Sequence, residues 1–202
     1  MIMHLLHCVS TTRFSTTAFA QVWSVGAELD ALADLRGDGA ELRSTKQAVP
    51  QHSHRHADEG FALDWSSMSE GRLSSGDCQG GVYVWDPAQG GHWTVSQPYC
   101  GHQGSVEDIQ WSPSDASQFM SCSVDQSIKV WDTRLGQTAQ LSVHAHTADV
   151  NVISWNSTVA YSLASGGDDG RLRVWDLRSF EEPVADFSYH RYVVVCALLT
   201  LS

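Results

Sequence analysis

The chain has 202 residues, 42% of them hydrophobic and 17% charged, enough for a globular domain with a fair core. Lys and Arg number 12 against 23 Asp and Glu, a formal net charge of −11. That balance excludes a primary nucleic-acid binder, which needs a basic face, and it suits basic protein partners. The cysteines (Cys8, Cys78, Cys100, Cys122 and Cys196) are odd in number and form no C-x-x-C pair. Neither a disulfide framework nor a zinc ribbon is indicated, and a reducing compartment is expected.

In chain order, the first segment is MIMHLLHCVSTTRFSTTAFA, rich in Ser and Thr, with Ala18-Phe19-Ala20 spaced like a cleavage site. His4 and His7 interrupt its apolar run and Arg13 lies downstream, so an unstructured start is preferred to a targeting peptide. At 52–56, HSHRH sets three histidines at alternate positions; a metal site is the sharper reading and a solvated polar linker the preferred one. From there a repeat takes over, and its spacing is regular. Trp65 and Trp85 stand 20 apart, as do Trp111 and Trp131, and Trp155 and Trp175. His56, His102 and His146 each precede the first Trp of a pair by nine residues. Ser75, Ser121 and Ser165 precede the second Trp by ten, and Gln79, Asp125 and Asp169 precede it by six. At the end, YVVVCALLTLS is apolar but too short to span a bilayer, and no membrane association is expected.

Each repeat alternates polar and apolar residues with period two, as IKVWD and LRVWD do, so its segments read as strands with two faces. Polar and glycine clusters, such as Asp125-Gln126-Ser127 and Asp168-Asp169-Gly170, have the chemistry of tight hairpins. Four short antiparallel strands per unit make one propeller blade. The Trp on the third strand needs a hydrogen-bond partner for its indole, and Ser on the second strand can supply it. Indole to Ser, Ser to His, and His to Asp then form a satisfied polar chain, a staple within each blade. The competing reading is a hydrolase triad. A nucleophile is needed once and a staple in every blade, so Trp85, Trp131 and Trp175 with their Ser, His and Asp partners are read as structural. No catalytic residue, metal or cofactor is expected. Gln79 replaces Asp in the first unit, which predicts a weaker, uncharged staple there.

On these residues the chain resembles the WD-repeat family of β-propellers. The resemblance covers roughly residues 51–190, with blades at about 54–98, 99–142 and 143–187. EGFALDW, SVEDIQWSP, DVNVISW and SGGDDGRLRVWDLR are similar to the glutamate-rich, histone-binding and ribosome-assembly branch of that family. The resemblance implies an all-β, incomplete propeller, with three four-stranded blades of an expected seven. It also implies a nuclear or nucleolar scaffold, shared with the cytoplasm as an alternative, whose clients are histones and a large-subunit ribosomal protein. Within residues 1–50, QVWS at 21–24 looks like the remnant of a preceding blade, and ELDALADL follows it. His190 stands where a further blade would place its His, and residues 191–202 are read as a truncated or atypical tail, the whole as a fragment. Faces left open at the ends predict marginal stability and self-association.

Blade loops carry function on a rigid scaffold. At the His-bearing end, Asp58, Glu59, Asp77, Glu107, Asp149, Asn151 and Asp168 are the candidates for meeting Lys and Arg of a client, or they merely solvate the rim. Trp131-Asp132-Thr133-Arg134 and Trp175-Asp176-Leu177-Arg178 match the W-D-x-R box of substrate receptors for cullin-RING ubiquitin ligases. By that resemblance Arg134 and Arg178 would contact the ligase adaptor; otherwise they pair with local carboxylates.

Overall fold

The structure, a computed structural model, describes residues 4–9, 19–24 and 50–188, with the backbone alone at 4–9 and 23–24. Three of its four sheets are four-stranded antiparallel meanders in which each strand pairs with its chain neighbours. The first contains β4 (Leu63–Trp65), β5 (Leu73–Gly76), β6 (Val82–Ala88) and β7 (His92–Val95). The second contains β8 (Val106–Trp111), β9 (Gln118–Ser123), β10 (Ser127–Asp132) and β11 (Leu141–His144). The third contains β12 (Val150–Trp155), β13 (Ser162–Gly167), β14 (Leu172–Asp176) and, after a 3-10 turn at Leu177–Ser179, β15 (Ala185–Phe187). They are consecutive blades of a β-propeller, and the described residues do not close the ring.

The fourth sheet corrects two expectations. Strands β1 (His4–Val9), β2 (Phe19–Ser24) and β3 (His52–Arg55) form an antiparallel sheet in the order β1-β2-β3. The backbone of residues 4–9 is thus a strand, and Phe19 and Ala20 of the cleavage-like triplet lie in β2. The histidine-rich segment is a strand as well, not a solvated linker. Its alternation gives β3 one face, and the rings of His52 and His54 approach Trp85 at 5.5 and 5.6 Å between centroids. ELDALADL, His190 and residues 191–202 lie outside the described residues.

The tryptophan spacing has a simple meaning in this architecture. The first Trp of each pair ends the inner strand, and the second lies on the third strand opposite Leu73, Phe119 or Leu163 of the second. Successive sheets bury their faces on one another. Val82, Val84, Val106, Ile109, Trp111 and Phe119 fill one interface, and Met120, Ile128, Val130, Val150, Ile153 and Leu163 fill the next. The turn between second and third strands places Gly80, Gln126 and Gly170 at the same position, all with φ between +69° and +81°. Glycine adopts that backbone freely; Gln126 holds it at a cost of roughly 1 kcal/mol. Register shifts at Val106/Asp108 and Val150/Val152 make Glu107 and Asn151 bulge residues at the entry to the inner strands.

Candidate interaction surface

In the second blade, Trp131 Nε1 donates to Ser121 Oγ at 2.9 Å, and Ser121 Oγ lies 2.8 Å from His102 Nε2. His102 Nδ1 lies 3.0 Å from Asp125 Oδ2. In the third, Trp175 Nε1 donates to Ser165 Oγ at 2.9 Å, Ser165 is 2.8 Å from His146 Nε2, and His146 Nδ1 is 2.9 Å from Asp169. Burial alone would raise the Asp125 pKa. The bond to His102, with those from Ser127 and Gln103, outweighs it and holds the carboxyl well below its usual range. Asp169 is lowered in the same way, through His146, Thr147 and Arg171. His146 is lowered by burial, which prevails over the attraction of Asp169. Ser121 and Ser165 are wholly buried and each accepts from an indole. The arrangement is a hydrogen-bonded strut that ties the second and third strands to the segment entering the blade.

The first blade departs from the expected staple. Trp85 Nε1 donates to Ser75 Oγ at 2.9 Å, and Ser75 lies 3.1 Å from His56 Nε2. Gln79, however, takes no part. It is exposed, and its side-chain amide donates to Asp58 at 2.8 Å. The carboxylate that replaces Asp125 and Asp169 is Asp77, two residues earlier. Asp77 Oδ1 accepts from Gly81 N at 2.9 Å, just as Asp125 and Asp169 accept from Ser127 N and Arg171 N at 3.0 Å. Asp77 is fully buried, so it does not stand on the rim as a client-binding residue. Its Oδ2 is 3.7 Å from His56 Nδ1, too far for a hydrogen bond, and that nitrogen has no partner among the described residues.

Sequence reasoning missed a second set of polar residues. Asp64 Oδ2 accepts from Trp111 N at 2.7 Å, Gln110 Oε1 from Trp155 N at 2.7 Å, and Asp108 Oδ2 from Ile153 N at 3.0 Å. Each inner strand is the edge of its sheet, so these N–H groups lack a strand partner. The preceding blade reaches across and satisfies them. Burial pushes both carboxyls up, each to about 6, against the hydrogen bonds that pull them down. The available sequence signal was a polar residue immediately before the first Trp in all three units, Asp64, Gln110 and Ser154.

The remaining rim candidates gather at the end where the histidines enter. Asp58 is half-buried and binds Glu59 N and Gln79. Glu59 is exposed, and Glu107 and Asp149 are half-buried. Asn151 donates to the exposed Asp168 at 2.6 Å. Phe61, 65% exposed, lies among them on the loop before β4. Arg134 and Arg178 sit at the opposite end. Arg134 donates from Nε and Nη2 to Asp132 at 2.9 and 2.5 Å, and Nη2 reaches Asp115 at 3.2 Å. Arg178 forks onto Asp176 identically and lies 3.7 Å above the Tyr161 ring. The bond to Arg134 depresses Asp132 to about 2, and the bond to Arg178 does the same to Asp176. Both arginine side chains remain more than half exposed.

Residues 93–132 and 137–176 match the family described as WD domain, G-beta repeat. The chain is similar to the Arabidopsis thaliana protein HEAT STRESS TOLERANT DWD 1, 45% identical over 138 residues, which is 67% of this chain and 29% of that protein. It is similar to Glutamate-rich WD repeat-containing protein 1 of Dictyostelium discoideum, 47% identical over 114 residues, 56% of this chain and 22% of that protein. Ribosome assembly protein rrb1 of Schizosaccharomyces pombe is 41% identical over 141 residues, 68% of this chain and 28% of that protein. The chain thus spans less than a third of the length of these curated relatives.

Proposed function

We propose that this chain, which carries WD repeats of a β-propeller, is a non-enzymatic scaffold of the histone-binding and ribosome-assembly type, acting on basic protein clients in the nucleus and nucleolus. The observation that carries this reading is the similarity to rrb1 and to Glutamate-rich WD repeat-containing protein 1. The net charge of −11 supports it, because an acidic scaffold steers cationic chains toward itself. Asp58, Glu59, Glu107, Asp149, Asn151 and Asp168 supply a polar and acidic rim at one end of the blades. The test is capture of core histones and ribosomal proteins at rising salt. Binding that weakens as salt screens the rim is expected. Failure to capture any basic client, or capture indifferent to salt, would overturn the reading.

A second role is compatible with the first and uses the other end of the blades. The exposed guanidinium forks of Arg134 and Arg178 close the two W-D-x-R boxes, and similarity to HEAT STRESS TOLERANT DWD 1 fits a ligase receptor. Charge reversal at both arginines should abolish capture of a cullin-RING adaptor while leaving the melting transition in place. Unchanged adaptor capture would remove this second role.

A further inference from the structure

The first of the three staples is open, and it opens onto a cleft. In the second blade Ser127 fills the position four before the Trp, with its hydroxyl 2.6 Å from Asp125 and 3.2 Å from His102. In the third, that position is Arg171. In the first it is Gly81, and the Tyr83 ring packs against Asp77 where that side chain would stand. Beside it lies a cleft of about 190 Å³ between the first and second blades, at the His-bearing end. Ala57, Pro98 and the Tyr83 ring give it apolar walls, and Gly80, Gly81 and Cys100 stand in its lining.

The floor of the cleft is negative, and its described lining includes no lysine or arginine. Asp77 lies fully buried beneath it; among the described residues its Oδ2 accepts from Tyr83 Oη at 3.4 Å and stands 3.7 Å from His56 Nδ1. The other two staple carboxylates have an imidazole within 3.0 Å. His102 also lines the cleft, but both of its nitrogens are engaged by Ser121 and Asp125. Tyr83 donates its proton to Asp77, which leaves lone pairs of the phenol oxygen free to accept a further hydrogen bond. Burial, followed by the charge of Asp77, pushes the Tyr83 hydroxyl up to about 12, so it stays neutral and keeps that geometry.

We propose that this cleft is a socket for one cationic side chain, lysine or arginine, of an extended basic segment. The aliphatic stem would lie against Pro98, Ala57 and the Tyr83 face, and the charged head would donate to Tyr83 Oη above Asp77. This placement rests on the reading of the chain as a binder of basic clients, and it locates one contact of that binding.

The test uses the full chain and a fluorescent peptide of alternating lysine and glycine, with arginine and acetyl-lysine counterparts. Among the described cysteines Cys100 is exposed, Cys122 buried and Cys78 half-buried, so Cys100 alkylation by a bulky maleimide, located by peptide mass spectrometry, reports on the cleft. The lysine or arginine peptide should slow Cys100 alkylation, and the acetyl-lysine peptide should not; the stronger protector identifies the preferred head group. Tyr83→Phe removes the acceptor and should weaken peptide binding roughly tenfold, as expected for one hydrogen bond to a charged group. Cys100→Trp, which fills the cleft, should weaken it similarly with an unchanged melting curve. Undiminished Cys100 alkylation at saturating peptide, or full affinity in both variants, would overturn the proposal. If histones are still captured in that case, the scaffold reading survives and the cleft alone is wrong. If no basic client binds the unaltered chain, the scaffold reading falls and the socket with it.

Discussion

Replacing Ser121 by alanine removes one hydroxyl and strands two buried groups. Trp131 Nε1 and His102 Nε2 lie 2.9 and 2.8 Å from that oxygen, and the Trp and Ser are wholly buried. An unsatisfied buried polar group costs about 1–3 kcal/mol, so the pair should cost about 2–4 kcal/mol once partial relaxation is counted. With a urea dependence of about 2 kcal/mol per molar, the midpoint should fall by about 1–2 M. The assay is urea unfolding followed in parallel by tryptophan fluorescence and circular dichroism. Trp131→Phe provides the control. It removes the indole N–H, so Ser121→Ala in that background should cost about 1–2 kcal/mol less. A loss below about 0.5 kcal/mol, or strict additivity of the two changes, would refute the reasoning. A hydrolase triad predicts a different outcome, lost turnover with little change in stability.

Two further predictions follow from the same geometry. Asp64 and Asp108 should each titrate near pH 6 when their side-chain carboxyl carbons are followed by NMR. Both folded values lie above the unfolded one, so the native state holds its protons more tightly. Each carboxylate therefore imposes a penalty of about 3 kcal/mol that is complete above pH about 6 and gone below pH about 4. Asp108→Asn should remove its share of the stability gained between pH 7 and 5, whatever its fixed cost; an unaltered slope would contradict the assignment. In the first blade, Gln79→Ala should change stability by less than about 0.5 kcal/mol, being exposed. Asp77→Ala should cost about 2–3 kcal/mol, because Gly81 N and Gln79 N lose their acceptor. Denaturant unfolding of the two variants compares them, and equal costs would restore Gln79 to the staple.

What could be read from the sequence was what the repeat fixes locally. The 20-residue interval between Trp111 and Trp131 runs from the end of the inner strand through the whole second strand and its turn into the third, and period-two alternation names the faces. Three copies of that interval specify three blades. The first-blade carboxylate escaped because position was counted from the Trp. Asp77 stands eight residues before Trp85 rather than six, yet the Gly80-Gly81 turn lets it reach the same N–H. The inter-blade bonds from Asp64, Asp108 and Gln110 span 45 to 47 residues and exist only once blades dock, so no local pattern announces them. Strand β3 was illegible for a related reason. HSHRH is polar in isolation; it becomes a strand because β2 offers an edge and Trp85 a face for the histidine rings.

The most direct test of the staple architecture is hydrogen exchange of the individual indole N–H groups. Trp85, Trp131 and Trp175 should exchange only with global unfolding, and Ser121→Ala should selectively release Trp131 while Trp85 and Trp175 keep their order. Rapid exchange of all three indoles in the unaltered chain would contradict the account.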